Sequence, residues 1–308
     1  MKYTFFTDSH LTGQNPEERC DDFADAILAK IEQVYSHSKK VKAEFVLFGG
    51  DLCNTHKIYS YFILERFISI LKMYKIPTYF VVGQHDLYGY EETSYKDSAL
   101  RFMEKMSDGL FIKLEKATII KSDVDCCLYP CHVYDDIHKK ALEIPDDGKF
   151  NILIAHELLS SKKRIFTTLP IEEITTKANI VLSGDLHDGV PYCTCNGVSF
   201  YNSGALARIK CDDVDRDIKM GVFEVVCASG KYEILFSDHM IDCKPAKEVF
   251  YVQKKEYKSE FTGFAEQIDT IEKTAVDIFD LITLWLESNK GKIRNDLVSY
   301  ILKFRKNA

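Results

Sequence analysis

Five apolar runs in this chain end in side chains that can hold a cation or move a proton. Tyr3–Thr7 runs into Asp8-Ser9-His10, and Phe45–Phe48 into Gly49-Gly50-Asp51. Thr78–Val82 runs into Gly83-Gln84-His85-Asp86. Ile152–Ala155 runs into His156, and Ile180–Leu182 into Ser183-Gly184-Asp185-Leu186-His187. Carboxylate and imidazole suit divalent metals, and a free imidazole suits proton transfer. A lone Asp-x-His carries little, since a polar pair on the surface or in the core is the commoner origin. The ordered series is the signal, and it takes up four of the nine histidines.

The elements that must position these groups are readable from periodicity. Phe23–Tyr35 is a helix with Phe23, Ile27, Ile31 and Val34 on one face. Tyr61–Met73 is a second helix, with Phe62, Phe67, Ile70 and Leu71 available for burial and Pro77 ending the unit. The order strand, helix, strand, helix, strand predicts parallel pairing through right-handed crossovers. In such sheets the carboxyl ends of the strands converge on one crevice. The glycines let the backbone turn sharply there.

Further short strands are expected at Ile119–Ile120, Cys126–Tyr129, Ser199–Tyr201, Val222–Val226 and Tyr232–Phe236. Few helices separate the last five candidate strands, so a second, partly antiparallel sheet is expected. The apolar residues of these strands are most simply core.

Composition bounds the function. The 308 residues hold 46% apolar side chains and a net charge of −7. This excludes a disordered tail, a collagen-like chain and a small disulfide scaffold. The acidic balance argues against holding nucleic acid by electrostatics alone. Ten cysteines without Cys-x-x-Cys spacing and no signal segment predict reduced thiols in a cytoplasmic protein. Cys131-His132 near Asp123 and Asp125 reads as a reduced cysteine and a surface histidine rather than a further metal site. No apolar stretch is long enough for a membrane span.

Taken together, DSH, GGD, GQHD, AHE and GDLH resemble the ordered motifs of the calcineurin-like metallophosphoesterase superfamily: D-x-H, G-D, G-N-H-[DE], a lone H, and G-H-x-H. The resemblance covers about residues 1–240. It implies an α/β fold, a four-layer α/β/β/α sandwich of two mixed sheets, and hydrolysis of phosphate esters at two divalent ions. Carried over, Asp8, His10, Asp51 and His187 hold one metal, and Asp51, Gln84, His156 and Asp185 the other. Gln84 stands where Asn is usual, and Asp185 replaces the first His of the last motif. Three carboxylates against two dications favour Mn²⁺ or Mg²⁺ over Zn²⁺. The resemblance makes His85 the general acid or charge stabiliser at the leaving oxygen, with Asp86 expected to hold its imidazole.

Two further segments resemble the SbcD-type DNA repair nucleases: GGDLCNTHKIYS, and Phe200 to Arg208 with Asn202-Ser203-Gly204 in place of P-G-S. That branch implies DNA as substrate, with Asn54, His56, Lys57 and Arg208 as candidate DNA contacts, and a homodimer in some members. Asn54 stands where that branch has His; a solvated loop is the plain alternative for His56 and Lys57, and a surface salt bridge for Arg208.

Composition changes near Lys244-Pro245, so a nuclease domain is expected over 1–243 and an extension over 244–308. A short extended piece is expected at Val249–Val252. The extension carries 12 basic and 10 acidic residues. Phe264, Ile268, Ile271, Ala275, Ile278, Ile282 and Trp285 form a heptad-like stripe, and Asn289-Lys290-Gly291 turns the chain into a second helix. The resemblance makes residues 264–306 a helical hairpin docking an SbcC-type ABC ATPase. Packing on its own domain is the alternative. A small-nucleotide phosphodiesterase or phosphatase, and a regulatory subunit with a weakened metal site, are the rival functions.

Overall fold

The computed structural model describes residues 1–162, 164, 167–211 and 216–251. One compact unit comprises Met1–Tyr251, and a second Val252–Ala308. The stripe and hairpin at 264–306 lie outside the described residues.

Four parallel strands open the first unit: β1 (Lys2–Phe6), β2 (Phe45–Phe48), β3 (Thr78–Phe80) and, later, β4 (Phe111–Lys113). Three helices connect them: α1 (Phe23–Lys40), α2 (Tyr61–Tyr74) and α3 (Ala99–Met106). The chain then lays down β5 (Thr118–Ile120), β6 (Cys126–Cys131), α4 (Ile137–Leu142) and β7 (Phe150–Ala155). A small parallel pair, β8 (Leu159–Ser160) and β9 (Leu169–Pro170), follows. Next come β10 (Ile180–Ser183), β11 (Val190–Cys195) and β12 (Val198–Asn202). A hairpin of β13 (Lys219–Ala228) and β14 (Lys231–Met240) completes the strands.

Two six-stranded mixed sheets result, in the orders β14-β13-β1-β2-β3-β4 and β11-β12-β10-β7-β6-β5. The sequence places the last hairpin with the second sheet. Instead β13 pairs antiparallel with β1, with Tyr3 opposite Phe223, and extends the first sheet. Which sheet an edge hairpin joins depends on side-chain complementarity between distant segments, which local alternation does not encode. The second sheet is parallel through β12, β10, β7 and β6, with antiparallel edges β11 and β5.

Alternation along each strand divides the core. In β1 and β2, Phe6, Val46 and Phe48 face α1 and α2, while Tyr3, Phe5, Phe45 and Leu47 face the second sheet. Ile152, Ile154, Ile180 and Leu182 meet them from across the gap. The outer face of the second sheet is covered by Ile137 and Ala141 of α4 and by Ile171 and Ile174. Strands buried on both faces read as continuous apolar runs, as these do.

Helix α1 buries the predicted stripe, and Asp22 caps it by accepting from the Asp25 backbone N–H at 2.9 Å. In α2, Phe67, Ile70 and Leu71 are buried as expected, but Ile63 and Leu64 take the place of Phe62, which is 64% exposed. Residues 244–251 belong to the first compact unit: Phe250 bridges to Arg19, and Ala246–Glu248 forms a short helical turn just before the extended piece expected at Val249–Val252.

Candidate metal centre

The carboxyl ends of β1, β2, β3, β7 and β10 bring their loops together. Asp8 N–H donates to the Gly50 carbonyl at 3.0 Å, and His10 N–H to the Asp51 carbonyl at 3.1 Å. These bonds lock the first two loops and force an unusual backbone. Asp8, His10, Asp51 and Asp185 all have left-handed φ, at 53°, 46°, 55° and 70°. Non-glycine residues adopt this region at a cost, and they concentrate at functional sites. Two glycines make the approach feasible. A Cβ on Gly83 would stand 2.1 Å from Asp51 Oδ1, and one on Gly50, itself at φ 101°, 2.4 Å from His156 Nδ1.

Three overlapping triads of ligand atoms follow: Asp8, His10 and His187; His10, Asp51 and His85; Asp8, Asp51 and His156. His10 Nε2 lies 3.0 Å from His187 Nε2, and these atoms are 3.8 and 3.7 Å from Asp8 Oδ1. His156 Nε2 lies 3.5 Å from Asp51 Oδ2 and 4.0 Å from Asp185 Oδ1. Gln84 donates from Nε2 to Asp185 Oδ1 at 2.6 Å, which aims its carbonyl away from that bond. His156 is oriented by its Nδ1–H donating to the Gly49 carbonyl at 2.7 Å, the usual arrangement behind a ligating imidazole.

Five buried polar atoms here lack a hydrogen-bond partner: Asp8 Oδ1, His10 Nδ1, Asp51 Oδ2, Gln84 Oε1 and His156 Nε2. Stranding so many polar atoms in one place is costly. Cations suit the acceptors among them, so the donor set fits two divalent ions. Protonation states show the same strain. Burial pushes the Asp8 carboxyl up to about 6, with Asp51 adding to the rise against nearby histidines. Burial likewise lowers His10 to about 3. Burial opposes charge on Asp51 too, but the His156 imidazole outweighs it and holds that carboxyl at about 2. Burial also resists a charged His156, yet Asp51 overcomes it and raises the imidazole well above its ordinary value. A proton on His156 occupies the place a cation would take.

His85 stands at the mouth, 44% exposed in its side chain, with Nε2 4.0 Å from Asp51 Oδ2. The expected partnership with Asp86 does not form. Asp86 is fully buried and accepts from the backbone N–H groups of Asp51, Cys53 and Gly83, each at 3.0 Å. It splints the second and third ligand loops together. The Asn54 carbonyl, 3.0 Å from His85 Nδ1, orients the imidazole instead. Asn54 thus reaches the site through its backbone.

The other candidate contacts are placed differently. His56 packs its ring 5.2 Å from that of Tyr88. Lys57 lines a surface hollow with Tyr59 and Phe102. Arg208 is buried, and its guanidinium donates to the Lys244 carbonyl at 2.6 Å, beside Arg19 and Lys30. His132 is buried rather than at the surface. It accepts from Val82 N–H at Nδ1 and donates to the Leu114 carbonyl from Nε2.

Residues outside the predicted site set also support the loops. Thr7 donates to Asp8 Oδ2 at 2.5 Å, and Arg216 donates to the His187, Ala205 and Ala207 carbonyls. Asn202 donates to the carbonyls of Gly184 and Leu186 at 3.1 and 3.2 Å, which gives the Asn202-Ser203-Gly204 segment a structural task.

Residues 1–189 match the family model described as calcineurin-like phosphoesterase, well over half of the chain. The chain belongs to the calcineurin-like phosphoesterase family. The family description is that of phosphoesterases, and the clustered carboxylates and imidazoles are of a kind that could hold divalent ions. No curated protein matches the chain. Among solved structures, a protein described as a 5'-nucleotidase from Staphylococcus aureus aligns at 10% identity and TM-score 0.48, covering 85% of this chain and 57% of that one. The chain thus spans little more than half of that protein's length. A dimetal phosphatase from Danio rerio aligns at 9% identity and TM-score 0.47, covering 78% and 98% of the two chains. The yellow lupin purple acid phosphatase PPD1 aligns at 12% and 0.46, covering 82% and 52%. Among the described residues of this phosphoesterase, no helix is long and apolar enough to cross a membrane.

Proposed function

We propose that this phosphoesterase is a Mn²⁺-dependent nuclease of SbcD type that cleaves DNA phosphodiesters with an ATPase partner. The observation that carries the reading is the openness of the metal centre. The side chains of His85 and His187 are 44% and 40% exposed at its mouth. A polymer strand can therefore lie across it, whereas an enclosed pocket would select small esters. The resemblance of GGDLCNTHKIYS and the Phe200–Arg208 segment to that branch supports the same reading.

Asp8, His10, Asp51 and His187 would hold one ion, and Asp51, Gln84, His156 and Asp185 the other. Two such ions, when bound, would supply charge neutralisation at the phosphoryl oxygens and a nucleophilic water at neutral pH. Three carboxylates and an amide oxygen favour Mn²⁺ or Mg²⁺. His85 faces the open side and donates its Nε2 proton to the leaving oxygen, while Nδ1–H stays on the Asn54 carbonyl. Asp86 positions the loops and takes no proton from His85.

The net charge of −7 disfavours tight DNA binding by this chain alone, and two dications reduce it to −3. A partner that grips DNA compensates, and the apolar stripe from Phe264 to Trp285 suits a helical dock for it. The test offers the purified protein, with Mn²⁺, linear duplex DNA, single-stranded DNA and p-nitrophenyl phosphate esters. Metal-dependent cleavage of DNA is expected. Hydrolysis of the small esters alone would sink the nuclease reading.

A further inference from the structure

Three tyrosines on the loops that follow β2 and β3 leave most of their surface bare. Tyr59, Tyr88 and Tyr90 are 86%, 69% and 66% exposed. A tyrosine normally buries most of its large ring, so three bare ones on two neighbouring loops call for an occupant. The loops are held firmly. Tyr88 N–H donates to Ser94 Oγ at 2.9 Å, Ser94 Oγ to the Glu91 carbonyl at 2.7 Å, and Ala99 N–H to the His56 carbonyl at 2.8 Å. Gly89 and Tyr90 both take left-handed φ, at 62° and 61°. For tyrosine that backbone is strained, and here it leaves the ring in solvent.

Their place relative to the chemistry is fixed by the same loops. Tyr88 is three residues from His85, a span of at most about 11 Å. His56, two residues from Asn54, packs on Tyr88, and Asn54 in turn holds His85. Tyr88 thus stands on the side of the site that His85 occupies, with Tyr90 two residues beyond it and Tyr59 three residues beyond His56. Lys57 adds a cation on the first loop, while the exposed Glu91 and Glu92 beyond Tyr90 repel phosphate. A strand lying here keeps its phosphates on the metal side and turns its bases to the rings.

Resting on the nuclease reading, we infer that Tyr59, Tyr88 and Tyr90, with His56 against Tyr88, form a stacking platform for unpaired nucleobases of the substrate strand. Stacking of a base on an aromatic ring contributes about 1–3 kcal/mol and tolerates any sequence. The occupant is a single strand because a paired base has no free face to offer. The platform would hold the strand end or a frayed junction over the ions.

The experiment measures binding by fluorescence anisotropy in Mn²⁺, on full-length His85→Ala protein so that the ligand survives. An eight-nucleotide oligothymidylate is compared with its abasic counterpart. The base-bearing strand should bind about tenfold tighter or more. Tyr88→Ala and Tyr59→Ala should each shrink that ratio several-fold, and Tyr88→Trp should preserve it. An absent preference, or a ratio unmoved by both alanine variants, would overturn the platform. So would sedimentation showing that these variants turn a dimer into monomers, since the face would then belong to a second copy. Cleavage by the wild type separates the two readings. Base-preferring binding without cleavage would fail the nuclease alone, and cleavage without base preference would fail the platform alone.

Discussion

The metal centre has a buried half and an open half, and they are built differently. Asp8, His10, Asp51 and His156 are at most 2% exposed and tied to backbone carbonyls and N–H groups of the neighbouring loops. Gln84, Asp185, His187 and His85 line the mouth and are partly solvated. Both departures from the family pattern, Gln84 and Asp185, fall on the open half. A buried ligand cannot change type without stranding its neighbours, whereas a ligand at the rim can change with local adjustment. Here the two altered residues meet each other through one hydrogen bond at 2.6 Å, as a matched pair.

This contrast sets an order of effects. Asp51→Asn strikes the buried half at the carboxylate that would serve both ions in the proposed ligand set. Phosphodiester hydrolysis should fall on the order of a thousandfold, the scale of losing a central charge-stabilising group, with Mn²⁺ binding lost in calorimetry. His85→Ala strikes the mouth. Turnover should fall about a hundredfold while Mn²⁺ stoichiometry stays intact. Loss of metal together with turnover would move His85 into the buried half.

Gly83→Ala tests the packing of the buried half without touching a ligand. Its Cβ would lie 2.1 Å from Asp51 Oδ1, so the third loop must retreat. About 1–3 kcal/mol of stability should be lost in denaturant titration, with weaker Mn²⁺ binding. The smallest effect belongs to Asp185→His on the open half. Folding should be unchanged, and preference should move from Mn²⁺ toward Zn²⁺ in competition binding. Destabilisation by more than the Gly83 variant would erase the distinction between the halves.

The convergence of these side chains was legible because each follows an apolar run, and parallel strands deliver their ends to one edge. A second, partly antiparallel sheet was legible from the run of short strands, and its packing as a sandwich from the family resemblance. What escaped had non-local causes. The β13–β14 hairpin joins the first sheet through pairing with β1, more than 200 residues away in sequence. Phe62 sits on the helix face that periodicity assigns to the core, yet Ile63 and Leu64 fill the space. Asp86 looked like a partner for the adjacent His85. Its three partners are backbone N–H groups, which sequence cannot specify. Arg216 gave no sign of its role until folding brought the His187, Ala205 and Ala207 carbonyls to it.

In the proposed function, side chains from five strand ends would hold two divalent cations, with Asp51 common to both ligand sets. Titration of metal-free protein with Mn²⁺, followed by electron paramagnetic resonance, tests it directly. The account predicts two ions per chain with a spin-coupled signal that Asp51→Asn abolishes. A single uncoupled ion, or none bound by the folded chain, would contradict it.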